Sequence, residues 1–324
     1  MLEFTSLAKL LRAIRQTTPA ATLNNAKINK DRATSKYYKE YDGFATLTHS
    51  PKFQLTTNTK FFTIGSCFAR NIEFYMNRKK IPYLSQVPLV DGEYFKMGGS
   101  ARAGYQNVYT PGAVLEASRL ILQDDPYVGI TEVGGLNYDL LTHGLKGLEA
   151  ETAQEIRDGL IETYRNLKKS DVVIITLGFI EAWYHKPSQI WVNQSPADPK
   201  LRKVADEFSF EVLDETKTLA ILEEAIDNFH KINPNLKFIF TVSPVPLGST
   251  FTEEHILVAN QRSKSTLHCV AQHLWRKYDF VDYFPSYEIV SLSERKLAFE
   301  EDNIHVKGEV VSKVMDCFFK SYFN

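Results

Sequence analysis

Ser66 and Cys67 stand side by side in the stretch KFFTIGSCFARN, residues 60 to 71, where an apolar run ends at Gly65 and a helical pattern begins. Either side chain is a potential nucleophile. A glycine between strand and helix gives the backbone freedom to turn sharply. The residues after it then sit at the positive end of a helix, which favours a thiolate over a thiol and offers N–H groups to an oxyanion. The same pattern also suits a plain N-cap at Ser66 with Cys67 as a small buried hydrophobe. Far along the chain, Asp302 and His305 lie three apart just before the last helical pattern. A carboxylate at that spacing can orient an imidazole that moves a proton.

Further candidates follow other apolar runs. Glu181 and Trp183 come just after one, in TLGFIEAW, and either contact a substrate or serve the core. Ser243-Pro244-Val245-Pro246 reads as a rigid turn at the rim of a cleft, and His255 opens a helix shortly after it. The sequence lacks a GxGxxG after a strand, a P-loop, an HExxH and any clustered His/Cys set, so we expect no cofactor and no metal.

The elements that must hold these residues alternate. Four short β-branched or aromatic runs, 60–64, 171–177, 237–242 and 279–284, lack polar alternation, as strands buried on both faces do. Helical periodicity fills 67–79, 113–123, 152–169, 215–232, 255–278 and 308–323. Such alternation predicts a doubly wound, mostly parallel α/β sheet with its ligands at the carboxyl ends of the strands. Residues 181–193 read as a hairpin, and the long stretches 84–111 and 186–213 as irregular and functional. Ahead of the domain, residues 2–15 form an amphipathic pattern with Leu7, Leu10, Leu11 and Ile14 on one face. That helix packs on its own domain, on a second subunit, or on a partner or membrane surface. A polar arm follows it, so we divide the chain into residues 1–45 and a domain over 46–324.

The 324 residues carry 38 basic and 39 acidic side chains, which gives no basic excess for nucleic acid. The three cysteines are far apart and odd in number, which argues against a disulfide framework and for a reducing, cytoplasmic setting. The first residues carry no long apolar h-region, so we expect no secretory signal, and no apolar stretch is long enough for a transmembrane helix.

Gly65-Ser66-Cys67-Phe68-Ala69 resembles the signature of the GSCFA domain family, a branch of the SGNH/GDSL hydrolases. Asn107-Val108-Tyr109-Thr110, Thr176-Leu177-Gly178 with Glu181 and Trp183, Ser243 to Pro246, Ser263-Lys264 and Tyr283 to Glu288 resemble the same family, over roughly residues 60 to 320. The resemblance implies a flavodoxin-like three-layer α/β/α sandwich and hydrolysis or transfer of an acyl ester, often acetyl on a carbohydrate. It implies Asp302 and His305 as the base pair. Aligned on the glycine, the superfamily's Gly-Asp-Ser-Leu-x-Arg falls on Gly65 to Arg70, which puts Cys67 in the nucleophile's place and Ser66 in the aspartate's. The Gly-x-Asn-Asp block falls on Gly178 to Glu181 and lacks its asparagine, so Asn107 becomes the candidate oxyanion donor. Gly65, Tyr109, Gly178, Glu181, Trp183 and His255 complete the expected binding set. The other expectation is a glycan-binding or polysaccharide-assembly protein that keeps the fold without the chemistry.

Overall fold

The computed structural model describes residues 41–100 and 102–323. The amphipathic pattern at 2–15 and most of the polar arm lie outside them. β1 (Phe61–Gly65), β4 (Val172–Leu177), β8 (Lys237–Val242) and β9 (Val281–Tyr283) pair in that order, all parallel. On the free side of β1, Tyr83 bridges Phe61 in parallel. Phe61 N donates to Pro82 O at 3.0 Å and Leu84 N to Phe61 O at 2.7 Å. In chain order the spatial sequence is therefore 2-1-3-4-5, the flavodoxin-like arrangement, whose winding reverses between β1 and β4.

Each predicted run is a strand because both its faces are apolar, and the period of two divides them. Phe61, Val172, Ile174 and Ile239 pack with α1 (Cys67–Arg78), α6 (Ser286–Ser291), α7 (Arg295–Ala298) and α8 (Gly308–Tyr322). Phe62, Ile64, Val173, Ile175, Phe238 and Phe240 face the other way. They meet α2 (Pro111–Arg119), α3 (Ala150–Tyr164), α4 (Glu215–Ile232) and α5 (Ile256–Lys277). The result is the expected three-layer α/β/α sandwich. No helix among the described residues is long and apolar enough to cross a membrane.

Two small antiparallel sheets decorate the carboxyl end. β5 (Glu181–His185) and β6 (Ile190–Val192) form the expected hairpin. β7 (Phe208–Val212) adds to β5 as a third strand within a stretch that reads as irregular. β2 (Ile130–Val133) and β3 (Leu136–Asp139) form a hairpin that the strand reading omits. Gly134-Gly135 at positive φ makes its turn, and a Gly-Gly pair between short apolar runs is a hairpin signal in its own right. The last described residues of the arm are tied to the domain: Glu294 N donates to Gly43 O at 2.8 Å and Tyr41 Oη to Leu292 O at 2.9 Å.

Candidate functional site

Gly65 ends β1 with φ +150°, and a Cβ there would lie 1.8 Å from Thr176 Oγ1 on β4. Only glycine lets the chain leave the sheet this close to its neighbour strand. Ser66 N then donates to Thr176 Oγ1 at 3.2 Å. The Ser66 hydroxyl caps α1, accepting from Phe68 N at 3.3 Å, and touches Ser243 Oγ after β8 at 3.3 Å. Ser66 is 3% exposed, whereas Cys67, the first residue of α1, is only partly buried. Burial pushes the Cys67 thiol above its ordinary value, and hydrogen bonds from the Phe68 and Cys67 N–H groups and from Ser66 pull it down without cancelling that. The expected bias toward thiolate is thus overturned: the helix end does act, but desolvation is the larger effect.

The segment after the 84–111 stretch lies across this turn. Val108 N donates to Gly65 O at 2.9 Å, and Tyr109 O accepts from Gly178 N at 3.0 Å and Phe179 N at 3.2 Å. A Cβ on Gly178 would meet Tyr109 O at 2.7 Å, so that approach also needs glycine. The Tyr109 ring stacks on Phe179 at 5.7 Å and takes the ring of His143 edge-on at 4.7 Å. Its phenol is pushed up to about 12, by burial first and then by the nearby Cys67. Asn107 Nδ2 donates to Tyr109 Oη at 3.4 Å, while Asn107 Oδ1 is buried without a partner. Turning the carboxamide over lets Tyr109 donate to Oδ1 and leaves Nδ2 as the free donor. In either setting one buried amide atom, next to the Tyr109 that neighbours Cys67, has no protein partner.

Asp302 and His305 are joined to each other. His305 Nδ1 meets Asp302 Oδ2 at 2.5 Å, and Asp302 Oδ1 accepts from Ile304 N and His305 N, each at 2.9 Å. The hydrogen bond with His305, followed by those two N–H groups, holds the Asp302 carboxyl down at about 2. The side chains are 68% and 45% exposed for His305 and Asp302 respectively. Among the described residues, no hydrogen bond or ion pair links this turn to Ser66 or Cys67. The turn is tethered instead to Arg295 on α7, which donates to Asn303 Oδ1 at 3.2 Å and to Asn303 O at 2.8 Å, and just beyond it Tyr75 Oη on α1 donates to Gly308 O at 3.1 Å.

The remaining candidates have local work. Both Glu181 oxygens are engaged, accepting from Thr250 Oγ1 at 2.6 Å and Phe251 N at 2.8 Å, which pins the loop before α5. Trp183 packs against Phe210 and Phe251 with its indole N–H buried and unpartnered. His255 caps α5 through Nδ1, which accepts from Leu257 N at 3.2 Å. Three residues at the cleft were not among the expected site residues, Lys264 having entered only within the family-like Ser263-Lys264 pair. Asn193 holds Asn107 in place, Nδ2 to O at 2.6 Å. His143 is driven down to about 4 by burial, then by Lys96, and is therefore a neutral imidazole at pH 7. Lys264 is 1% exposed beneath the loops. None follows a predicted strand directly, so no positional rule points to them. Among the described residues no group of three or more His, Cys, Asp or Glu is placed to hold a metal ion.

The GSCFA family model matches residues 60–318. The chain belongs to the GSCFA family. No curated protein matches it. Among solved structures it is similar to "The structure of a putative platelet activating factor from Streptococcus pneumonia", at 13% identity and TM-score 0.35, over 94% of this chain and 99% of that one. The family signature Gly65 to Ala69 thus includes the β1–α1 turn and the first residues of α1.

Proposed function

We propose that this GSCFA protein is a thiol-dependent acyl esterase or O-acyltransferase of the SGNH type. Its substrate would be an acylated carbohydrate or glycan precursor in a reducing cytoplasm. The observation that carries the reading is the contrast between neighbours. The Ser66 hydroxyl is buried and engaged as a cap, while the Cys67 thiol is partly open beside the Asn107–Tyr109 pair. In the reaction, Cys67 Sγ bonds to the ester carbonyl carbon as the carbonyl electron pair moves onto oxygen. The thiol proton goes to His305 Nε2, with Asp302 holding Nδ1. The Cys67 N–H and the Asn107 amide receive the oxyanion. Its collapse breaks the ester C–O bond, and the departing alkoxide takes the proton from His305. Water or an acceptor hydroxyl then resolves the thioester. Gly65, Gly178 and Glu181 position the loops, and Tyr109 and Trp183 offer aromatic faces to a sugar.

The test is acetyl-ester cleavage by Cys67→Ala, Ser66→Ala and His305→Ala. Loss in the first and third with retention in the second supports the thiol. Full activity in Cys67→Ala overturns it. A second reading, glycan binding on a hydrolase fold, is favoured by the burial-raised thiol. It predicts that Cys67 reacts with iodoacetamide no faster than Cys269 and that no ester is cleaved.

A further inference from the structure

Lys264 lies in the middle of α5, 1% exposed. Its Nζ donates to Gly178 O at 2.7 Å and to Val245 O at 2.8 Å. These carbonyls belong to two different loops, the one after β4 and the one after β8. No ion pair to a carboxylate accompanies them among the described residues, and burial brings the ammonium down to about 7. Taking an ammonium out of water without a counter-charge is costly, and an apolar side chain of the same length would fill this volume more cheaply. The bonding pattern is what an apolar residue lacks. A neutral amine still has two N–H donors, the number of carbonyls it faces, so the link persists when the proton leaves.

From each carbonyl a short path leads to the Cys67 turn. On one side the Gly178 and Phe179 N–H groups hold Tyr109 O, and Phe179 stacks on the Tyr109 ring. On the other, Val245 N donates to Ser243 Oγ at 3.4 Å, and Ser243 Oγ meets Ser66 Oγ at 3.3 Å. We propose that Lys264 is a positioning residue that fixes the loops after β4 and β8 against each other, and thereby sets Tyr109 and Ser243 around Cys67. This rests on reading the Cys67 turn as the reactive site.

The experiment measures Cys67 directly, so it does not depend on knowing the substrate. In Lys264→Met the iodoacetamide rate of Cys67 changes by about tenfold, as expected when a reactive group loses its placement. The rate at Cys269 on the outer face of α5 stays within a factor of about two. With an ester substrate in hand, kcat falls and KM moves little. A Met variant with lowered thermal stability but an unchanged Cys67 rate overturns the proposal, since that is what a merely structural lysine would give. Should Lys264→Met fail to fold, Lys264→Leu, which also lacks donors, takes its place with the same criteria. The wild type carries an independent check. The Gly178 and Phe179 amides exchange with deuterium on the order of 100-fold slower than free loop amides, and free exchange overturns the brace. Failure of the proposed function looks different: either Cys67→Ala keeps full activity or the wild type cleaves no ester, while the Lys264 effects on Cys67 labelling remain.

Discussion

The Cys67 turn and the Asp302–His305 turn are the two halves of the proposed machinery, and the fold treats them in opposite ways. The first lies at the carboxyl ends of β1, β4 and β8, where three strands converge. Its backbone is held by Thr176 and Val108, and its floor by a buried cluster in which Glu73 on α1 accepts from Thr63 and Ser85 and pairs with Arg70 at 2.8 Å. The second is a surface turn held by its own hydrogen bonds and by Arg295 on α7. Burial therefore governs the thiol, whereas local hydrogen bonds govern the carboxylate. A site half built into the sheet and half carried on an exposed turn has its binding geometry fixed in advance and its proton-handling group accessible. The two halves can then be broken separately, one with large consequences for the fold and one with almost none.

The sharpest break is at the thiol. Cys67→Ala removes the attacking atom, so ester cleavage falls on the order of 10³-fold or more, with thermal stability little changed because the side chain is small and partly open. His305→Ala costs roughly 10²- to 10⁴-fold in kcat, the range for a lost acid–base group. Because His305 is exposed, its melting temperature stays at the wild-type value. A large drop in stability would show that the turn is more integral to the fold than its bonds indicate. Gly65→Ala inverts this pattern. The added methyl meets Thr176 Oγ1 at a backbone φ of +150°, so unfolding free energy falls by about 3 kcal/mol, measured by urea denaturation.

The same division explains what was legible in the sequence. The sandwich could be read because Phe61 to Gly65, Val172 to Leu177 and Lys237 to Val242 are apolar on both faces, which only a covered parallel strand requires. The Cys67 turn and the Asp302–His305 pair could be read because each lies within a few consecutive residues. The contacts of the turn could not, since Thr176 and Ser243, although they end or follow predicted strands, meet it only after the strands pair, and Lys264 acts on it only through the Gly178 and Val245 carbonyls. The thiol's state was misread for a related reason. A helix N-terminus is a local signal, whereas the burial that outweighs it comes from Tyr109 and neighbouring segments remote in sequence. β7 was missed although Phe208, Phe210 and Val212 alternate with polar residues, because it lies in a long stretch without other order.

The thiol's burial sharpens the comparison through pH. Cys67 is raised above its usual value, so its alkylation in the folded protein at pH 7 is slower than in the urea-unfolded chain, and it climbs about tenfold per pH unit beyond pH 8. Faster alkylation in the folded state would mean that the helix end outweighs desolvation after all. Asp302 makes the opposite case. Held at about 2 by its bond to His305, it contributes a stabilising pair above the ordinary carboxylate pKa and loses it only as pH falls through 2. Hence the Asp302 carboxylate stays ionised across the neutral range.

The smallest effect is the most specific to the braced half. Lys264 holds its proton to about 7 when folded and to about 10.4 when unfolded. Between those values the unfolded chain binds more protons than the native one, so the lysine makes stability rise with pH, by at most about 1.4 kcal/mol per unit. Well below pH 7 both states are protonated and the slope vanishes. Lys264→Met removes this term while leaving every other titrating group in place. The difference in unfolding free energy between wild type and variant, from urea titrations at pH 6, 7, 8 and 9, should change by only about 0.4 kcal/mol from 6 to 7. It should then grow in favour of the wild type at higher pH. A difference that stays constant across the series would mean that Lys264 keeps an ordinary pKa, and with it enough water or charge around Nζ that the loops are not closed over it.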